Sequence, residues 1–294
     1  MTASPTSTPV SPPAHPPALP DALASATLAF IGGGNMATAI LGALLRNGLP
    51  ARQILVLEPD ADAAARLTSQ WHVAVERAPS ASFKRADLVI WAVKPQVMRE
   101  AALPVAPWTA DALHLSVAAG IPTQAIAAWL GTRRLVRCMP NTPALIGHGM
   151  AALFASTDVS GSDRALAENA IRATGACLWV AREELLDAVT ALSGSGPAYV
   201  FYFLEAMAEA GTQLGLSAGQ SLELALNTFA GASALALQSG ESPAVLRERV
   251  TSKGGTTFAA LTALDQAGVK PAFIAAMHAA AQRAGELGAA FGQN

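Results

Sequence analysis

The chain has 294 residues, enough for two domains. Its 19 basic and 21 acidic side chains leave a formal charge of −2 with no basic run, which argues against nucleic acid as a partner. Two cysteines, Cys138 and Cys177, make no disulfide framework, and the five scattered histidines show no metal-ligand spacing, so a reducing, cytoplasmic setting and no metal site are expected.

Residues 1–26 are rich in Ser, Thr, Pro and Ala, with prolines at 5, 9, 12, 13, 16, 17 and 20. Such a segment buries too little apolar surface to offset its ordering entropy and is expected to be a disordered tail. It has no basic start or apolar core, as a signal peptide would, and no arginine, as a mitochondrial leader would. Residues 26–45 carry no charge, but Gly32, Gly33, Gly34 and Asn35 at the centre favour strand, turn and helix over a membrane span.

That stretch is the most informative of the chain. The apolar run Thr27 to Ile31 enters the glycine cluster, and Met36 and Ala37 begin an apolar helix. Gly32 and Gly34 with Ala37 hold the three small-residue places of a dinucleotide-binding fingerprint. Further strands are predicted at 54–57, 73–75, 86–93, 114–118 and 135–139, alternating with helices, which implies a doubly wound, mostly parallel sheet. From about residue 183 the strand signals stop. Helical patterns over 183–192, 197–215, 218–239 and 243–251, and from about Phe258, place the domain boundary near 185, with 27–185 the α/β domain and 186–294 helical. Glu223 is the only charge between Ala218 and Gln238. A helix so apolar is buried on more than one side, in a two-fold dimer or inside its own domain.

Several segments fall at predicted strand ends, where open α/β sheets bind ligands. They are Ala92-Val93-Lys94-Pro95, Val117-Ala118-Ala119-Gly120 and Met139-Pro140-Asn141. Small residues there let a flat ring lie against backbone. In the helical half, Leu192–Tyr199 breaks and restarts a helix at Pro197. Ser252-Lys253-Gly254-Gly255-Thr256-Thr257 opens another, and its N–H groups make either an anion nest suited to a small carboxylate or a simple N-cap by Thr256 or Thr257.

Taken together, Phe30–Met36, Ala92–Pro95, Arg137–Pro143, Leu192–Tyr199 and Val250–Thr257 closely resemble the pyrroline-5-carboxylate reductases in order and spacing. The resemblance runs from about residue 27 to 290. It implies a Rossmann-type domain followed by an all-α dimerisation and substrate-binding domain. The implied reaction is reduction of the C=N bond of 1-pyrroline-5-carboxylate to L-proline with NADPH or NADH, the last step of proline biosynthesis. By the same resemblance, Ile31, Gly32, Gly33, Gly34, Asn35 and Met36 would cradle the pyrophosphate. Ala92, Val93, Lys94 and Pro95, Val117, Ala118 and Ala119, and Met139, Pro140 and Asn141 would border ribose and nicotinamide. Ser252, Gly254, Gly255, Thr256 and Thr257 would hold the substrate carboxylate, with Thr257 at the ring nitrogen as the catalytic group. A partner subunit would help close each site, in a homodimer or a ring of dimers, with no role for a membrane.

Lys253 stands where the family has proline, adding a positive charge beside the proposed carboxylate. Glu58 ends the second strand, a position at which a carboxylate binds the ribose 2′-OH of NAD and repels a 2′-phosphate. Arg52 and Arg66 are near it in sequence and are expected to offset that charge, so both cofactors should work. Two other readings stay open: a hydroxyacid dehydrogenase on a related fold, which would want a helix-borne lysine in the second domain, where Lys253 and Lys270 are the only lysines, and a nucleotide-sensing or scaffold protein without catalysis.

Overall fold

The computed structural model describes residues 20–292. The expected disordered tail therefore lies outside the described residues as far as residue 19, and its end is corrected. Asp21–Ala24 forms a short helix, α1, and Leu23 is buried in the core of the sheet domain. One leucine among prolines and alanines is too little for a periodic signal, yet it docks the segment.

Six strands then alternate with helices. They are β1 (Leu28–Ile31), α2 (Asn35–Arg46), β2 (Ile54–Leu57), α3 (Ala61–Trp71), β3 (Ala74–Glu76), β4 (Leu88–Trp91), α4 (Met98–Val105), β5 (Leu113–Ser116), α5 (Thr123–Leu130) and β6 (Leu135–Met139). All six are parallel, in the order β3-β2-β1-β4-β5-β6. Strands β1, β2, β4 and β5 are buried at every residue. Helices on both faces explain why β1, β2 and β4 read as unbroken apolar runs rather than alternating ones, while β5 buries His114 and Ser116 in alternation with its leucines. The pleat still divides them: Leu28 and Phe30 face one core with Ile40 and Leu44 of α2, while Ala29 and Ile31 face another with Met98 of α4 and Ile126 of α5.

Two strands escape the sequence reading. β7 (Gly149–Ala155) runs antiparallel to β6, α6 (Gly161–Arg172) follows, and β8 (Gly175–Trp179) returns parallel to β7. Both strands start with glycine, followed within two residues by alanine, and β7 holds three alanines; these residues have low strand propensity, so tertiary packing makes the strands. A Ser160–Asp163 capping box starts α6.

The helical part begins with α7 (Leu185–Val189), which runs into a π-helical turn over Thr190–Gly194. It continues with α8 (Gly196–Gln213), α9 (Ala218–Ser239), α10 (Pro243–Arg249), α11 (Thr256–Gln266) and α12 (Val269–Gly292). Helices α8 and α9 pack on each other, and α12 returns to the α/β part, where Phe291 packs against the core under α4 and α5. A polar clamp joins the two parts. Glu183 accepts from the N–H (2.7 Å) and hydroxyl (2.6 Å) of Thr123 at the start of α5, and from Arg137 of β6 at 2.7 Å.

Only Ser221 and Ala225 of α9 are buried, while Leu222, Leu224, Leu226, Leu235 and Leu237 stand open. A single chain therefore leaves the apolar helix uncovered. None of the described helices is long and apolar enough to cross a membrane.

Candidate active site

The site is built at the carboxyl ends of the parallel strands, where the strand order reverses between β1 and β4. The Gly32 N–H donates to the Leu57 carbonyl at 2.9 Å, and the Ala92 N–H donates to the Ile31 carbonyl at 2.9 Å. The loops after β1, β2 and β4 are thus laced together at the switch point. Gly32 has φ +94°, and a Cβ on it would stand 2.9 Å from the Ala92 carbonyl oxygen. A Cβ on Gly33 would stand 2.4 Å from Leu67 Cδ1 and 3.0 Å from Glu58 Oε2, so both side chains would have to shift to admit one. Gly34 caps α2, and no side chain takes the amides of the first turn. A Cβ there would meet nothing within 4 Å, so open space lies before the positive end of the helix. Asn35 and Met36 form that first turn, with Met36 packed on the core.

This space belongs to a cleft of about 530 Å³ lined by Ile31, the three glycines, Glu58, Ala92, Val93 and Lys94. Glu58 lies on its wall: Oε2 accepts from the Gly33 N–H at 2.8 Å and Oε1 from the Asp60 N–H at 3.0 Å. An open helix N-terminus, a glycine loop that brings backbone to it and a carboxylate at the end of β2 fit a dinucleotide. Pro95 instead starts a short turn and lines a separate depression with Trp129 and Phe291.

Further along the edge, the Val117 N–H donates to the Trp91 carbonyl at 3.0 Å. Ala118 is buried, with its N–H on Ser116 Oγ at 3.3 Å, and Ala119 is half-buried. At the end of β6 the Asn141 side chain is spent on the protein itself. Its Oδ1 accepts from the Met150 N–H at 2.9 Å, and its Nδ2 donates to the Ser193 carbonyl at 3.1 Å. Met139 Cε lies 2.4 Å from where a Gly194 Cβ would be, so the π turn rests on this strand end. π turns of this kind occur often at functional sites. Asn141, Pro143 and Ser193 also line a second cavity of about 550 Å³, with Pro197, Tyr199 and Phe273.

The Ser252–Thr257 turn is open at its amides. The Gly255 N–H closes the turn on the Ser252 carbonyl at 3.0 Å, and Gly255 caps α11 without a side-chain hydrogen bond. Thr256 and Thr257 therefore do not serve as N-caps, and the Thr257 hydroxyl has no hydrogen-bond partner among the described residues. The turn lines neither the glycine-loop cleft nor the cavity at Asn141.

Comparison with known proteins agrees with this arrangement. Residues 183–287 match the family model described as pyrroline-5-carboxylate reductase dimerisation, and residues 27–120 match one described as NADP oxidoreductase coenzyme F420-dependent. The chain is 42% identical to a pyrroline-5-carboxylate reductase of Pseudomonas aeruginosa over 268 residues, 90% of this chain and 98% of that one. It is 41% identical to the Haemophilus influenzae reductase, over 88% of this chain and 97% of the relative. The solved Coxiella burnetii reductase superposes with a TM-score of 0.85 at 37% identity, covering 90% of this chain and 98% of that one. This chain belongs to the pyrroline-5-carboxylate reductase family.

Within the family frame, the structure also corrects one expectation. Arg52 precedes β2 and Arg66 lies within α3, and neither lines the cleft beside Glu58. Arg77, after β3, does. Sequence reading passes it over because only the strand order reveals that β3 lies beside β2. The Arg137–Glu183 clamp was likewise invisible, since its partners come from two parts of the fold. Burial pushes the Cys138 thiol above its ordinary range.

Proposed function

We infer that this chain reduces the C=N bond of 1-pyrroline-5-carboxylate to L-proline. The observation that carries the inference is likeness to reductases of that name across nearly the whole chain. The cradle at Gly32–Gly34 fits the pyrophosphate of a nicotinamide cofactor, with the adenosine toward Glu58 and the nicotinamide toward Val117–Ala119 and Met139–Asn141. Bound there, the reduced cofactor supplies a hydride equivalent to the imine carbon. A family model naming NADP matches this domain, and the cleft accepts NADPH and NADH alike.

The chain's own residues hold the substrate and shape its surroundings. The open amides of the Ser252–Thr257 turn receive the carboxylate at the N-terminus of α11, where the helix dipole favours an anion. Lys253 adds a charge of the right sign. Thr257 offers its uncommitted hydroxyl to the ring nitrogen and orients the imine. Asn141 acts through the backbone, tying the loop after β6 to Met150 and to the π turn. An imine protonated on nitrogen is already electrophilic, so no nucleophile or metal is required; the nitrogen keeps its proton, and one hydrogen and two electrons arrive at carbon. The chief contribution of the protein is near-attack geometry.

The turn stands apart from the clefts of its own chain, and α9 leaves its leucines open. A homodimer answers both: the apolar helices cover one another, and the turn of one protomer reaches the nicotinamide end of its partner. Oxidation of reduced cofactor on adding pyrroline-5-carboxylate, with 2-oxo acids as controls, tests the reaction. Turnover confined to the controls would replace it with the hydroxyacid reading.

A further inference from the structure

The end of β2 reads Glu58-Pro59-Asp60, two carboxylates and no base. Taken alone, that sequence rejects a cofactor with a 2′-phosphate. The cleft, however, receives a cation from the neighbouring strand. Arg77 follows β3 directly and lines the same cleft as Glu58 and Gly33. Its Nε donates to the Pro59 carbonyl at 3.1 Å, which anchors the guanidinium next to Glu58 and leaves its two terminal nitrogens for other acceptors.

The nearest acidic groups do not consume that charge. Glu76, its neighbour in sequence, accepts from the Ser80 hydroxyl at 2.6 Å and from the Ser82 hydroxyl. Glu58 is committed to the Gly33 and Asp60 amides. No ion pair joins Arg77 to a carboxylate among the described residues. An anchored guanidinium fork with open terminal nitrogens matches a phosphate in both geometry and charge.

Resting on the cofactor reading above, we propose that Arg77 reads the 2′-position of the adenosine ribose. Glu58 serves an unphosphorylated ribose, Arg77 serves a 2′-phosphate, and one cleft thereby takes both cofactors. The cation enters from β3 rather than from the end of β2, which is why the residues around Glu58 point the wrong way.

The test is calorimetric titration of the full chain with 2′,5′-ADP and 5′-AMP, beside NADPH and NADH, on wild type, Arg77→Gln, Arg77→Lys and Glu58→Gln. Arg77→Gln should weaken 2′,5′-ADP and NADPH by about tenfold or more, the size of a lost charge-assisted bond, and leave 5′-AMP and NADH unchanged. Arg77→Lys should recover part of the loss, because the charge remains without the fork. Glu58→Gln should move the ratio the opposite way. The wild-type preference for the 2′-phosphate should also shrink with added salt, and that of Arg77→Gln should not. Equal weakening of all four ligands would give Arg77 only a structural role through Pro59, and an unchanged ratio would remove it from the ribose site; either overturns the proposal alone. A wild type that binds none of the four would overturn the cofactor reading and the proposal with it.

Discussion

His114 lies on β5 in the middle of the sheet and is 1% exposed. Trp91 Nε1–H donates to its Nδ1 at 3.0 Å, and its Nε2 stands 3.1 Å from the Thr109 carbonyl. A carbonyl only accepts, so Nε2 carries the proton and Nδ1 is bare. A second proton would have to displace the Trp91 donor inside an apolar core. Burial lowers the pKa from 6.5 to about 4, against a smaller opposing effect of the Thr109 bond. Above pH 6.5 the ring is neutral in both folded and unfolded chains. As pH falls from there, the unfolded chain binds a proton that the folded chain refuses, so stability declines until about pH 4 and then levels. At 1.36 kcal/mol per pH unit the loss is roughly 3 kcal/mol, a large share of a typical stability of about 5–15 kcal/mol. The assay is urea unfolding of wild type and His114→Gln across this range, at one protomer concentration because an oligomer's stability depends on it. Glutamine can accept from Trp91 and donate to Thr109 but does not titrate. The wild type should lose about 3 kcal/mol more than the variant between neutral pH and pH 4. Parallel curves would refute a neutral, pH-sensitive His114.

Three other perturbations probe the site and the assembly. Thr257→Val keeps shape and β-branching while removing a hydroxyl that caps nothing, so kcat/KM for pyrroline-5-carboxylate should fall at least about tenfold with unchanged cofactor affinity and thermal midpoint. Steady-state kinetics with separate cofactor titration checks this, and an unchanged kcat/KM would remove Thr257 from the site. Leu226→Asp places a charge on the open apolar face of α9 and should dissociate the dimer; sedimentation of a normal-sized, active oligomer would put Leu226 outside the interface. Glu183→Ala leaves Arg137, with its side chain only 9% exposed, without its carboxylate and should cost about 3 kcal/mol in urea unfolding; a loss under about 1 kcal/mol would show the clamp to be solvated.

The parts of the fold legible in the sequence are those where one physical requirement dominates. Strands β1, β2 and β4 must be apolar throughout because both faces are covered, and the loop must have glycine at 32, where φ is positive and the Ala92 backbone crowds it. β7 was illegible because glycine and alanine make up four of its seven residues, and β8 because it is short and opens on Gly-Ala. The short helix holding Leu23 was hidden in a segment whose composition spoke for disorder. Of the segments proposed for the site, the Ser252–Thr257 turn announced itself by residue type. By contrast, the spent amide of Asn141 and the position of Arg77 depend on Met150, Ser193 and Pro59, partners that only the folded chain brings near.

The most direct measurement follows the transferred hydrogen. Reduced cofactor carrying deuterium at nicotinamide C4, on each face in turn, is supplied with pyrroline-5-carboxylate and the full chain, and the product is read by mass spectrometry and NMR. With one of the two faces labelled, L-proline should carry one deuterium, on the ring carbon beside nitrogen and remote from the carboxylate. Proline without label from either face, or no proline while a 2-oxo acid offered in its place is reduced, would contradict imine reduction by this chain.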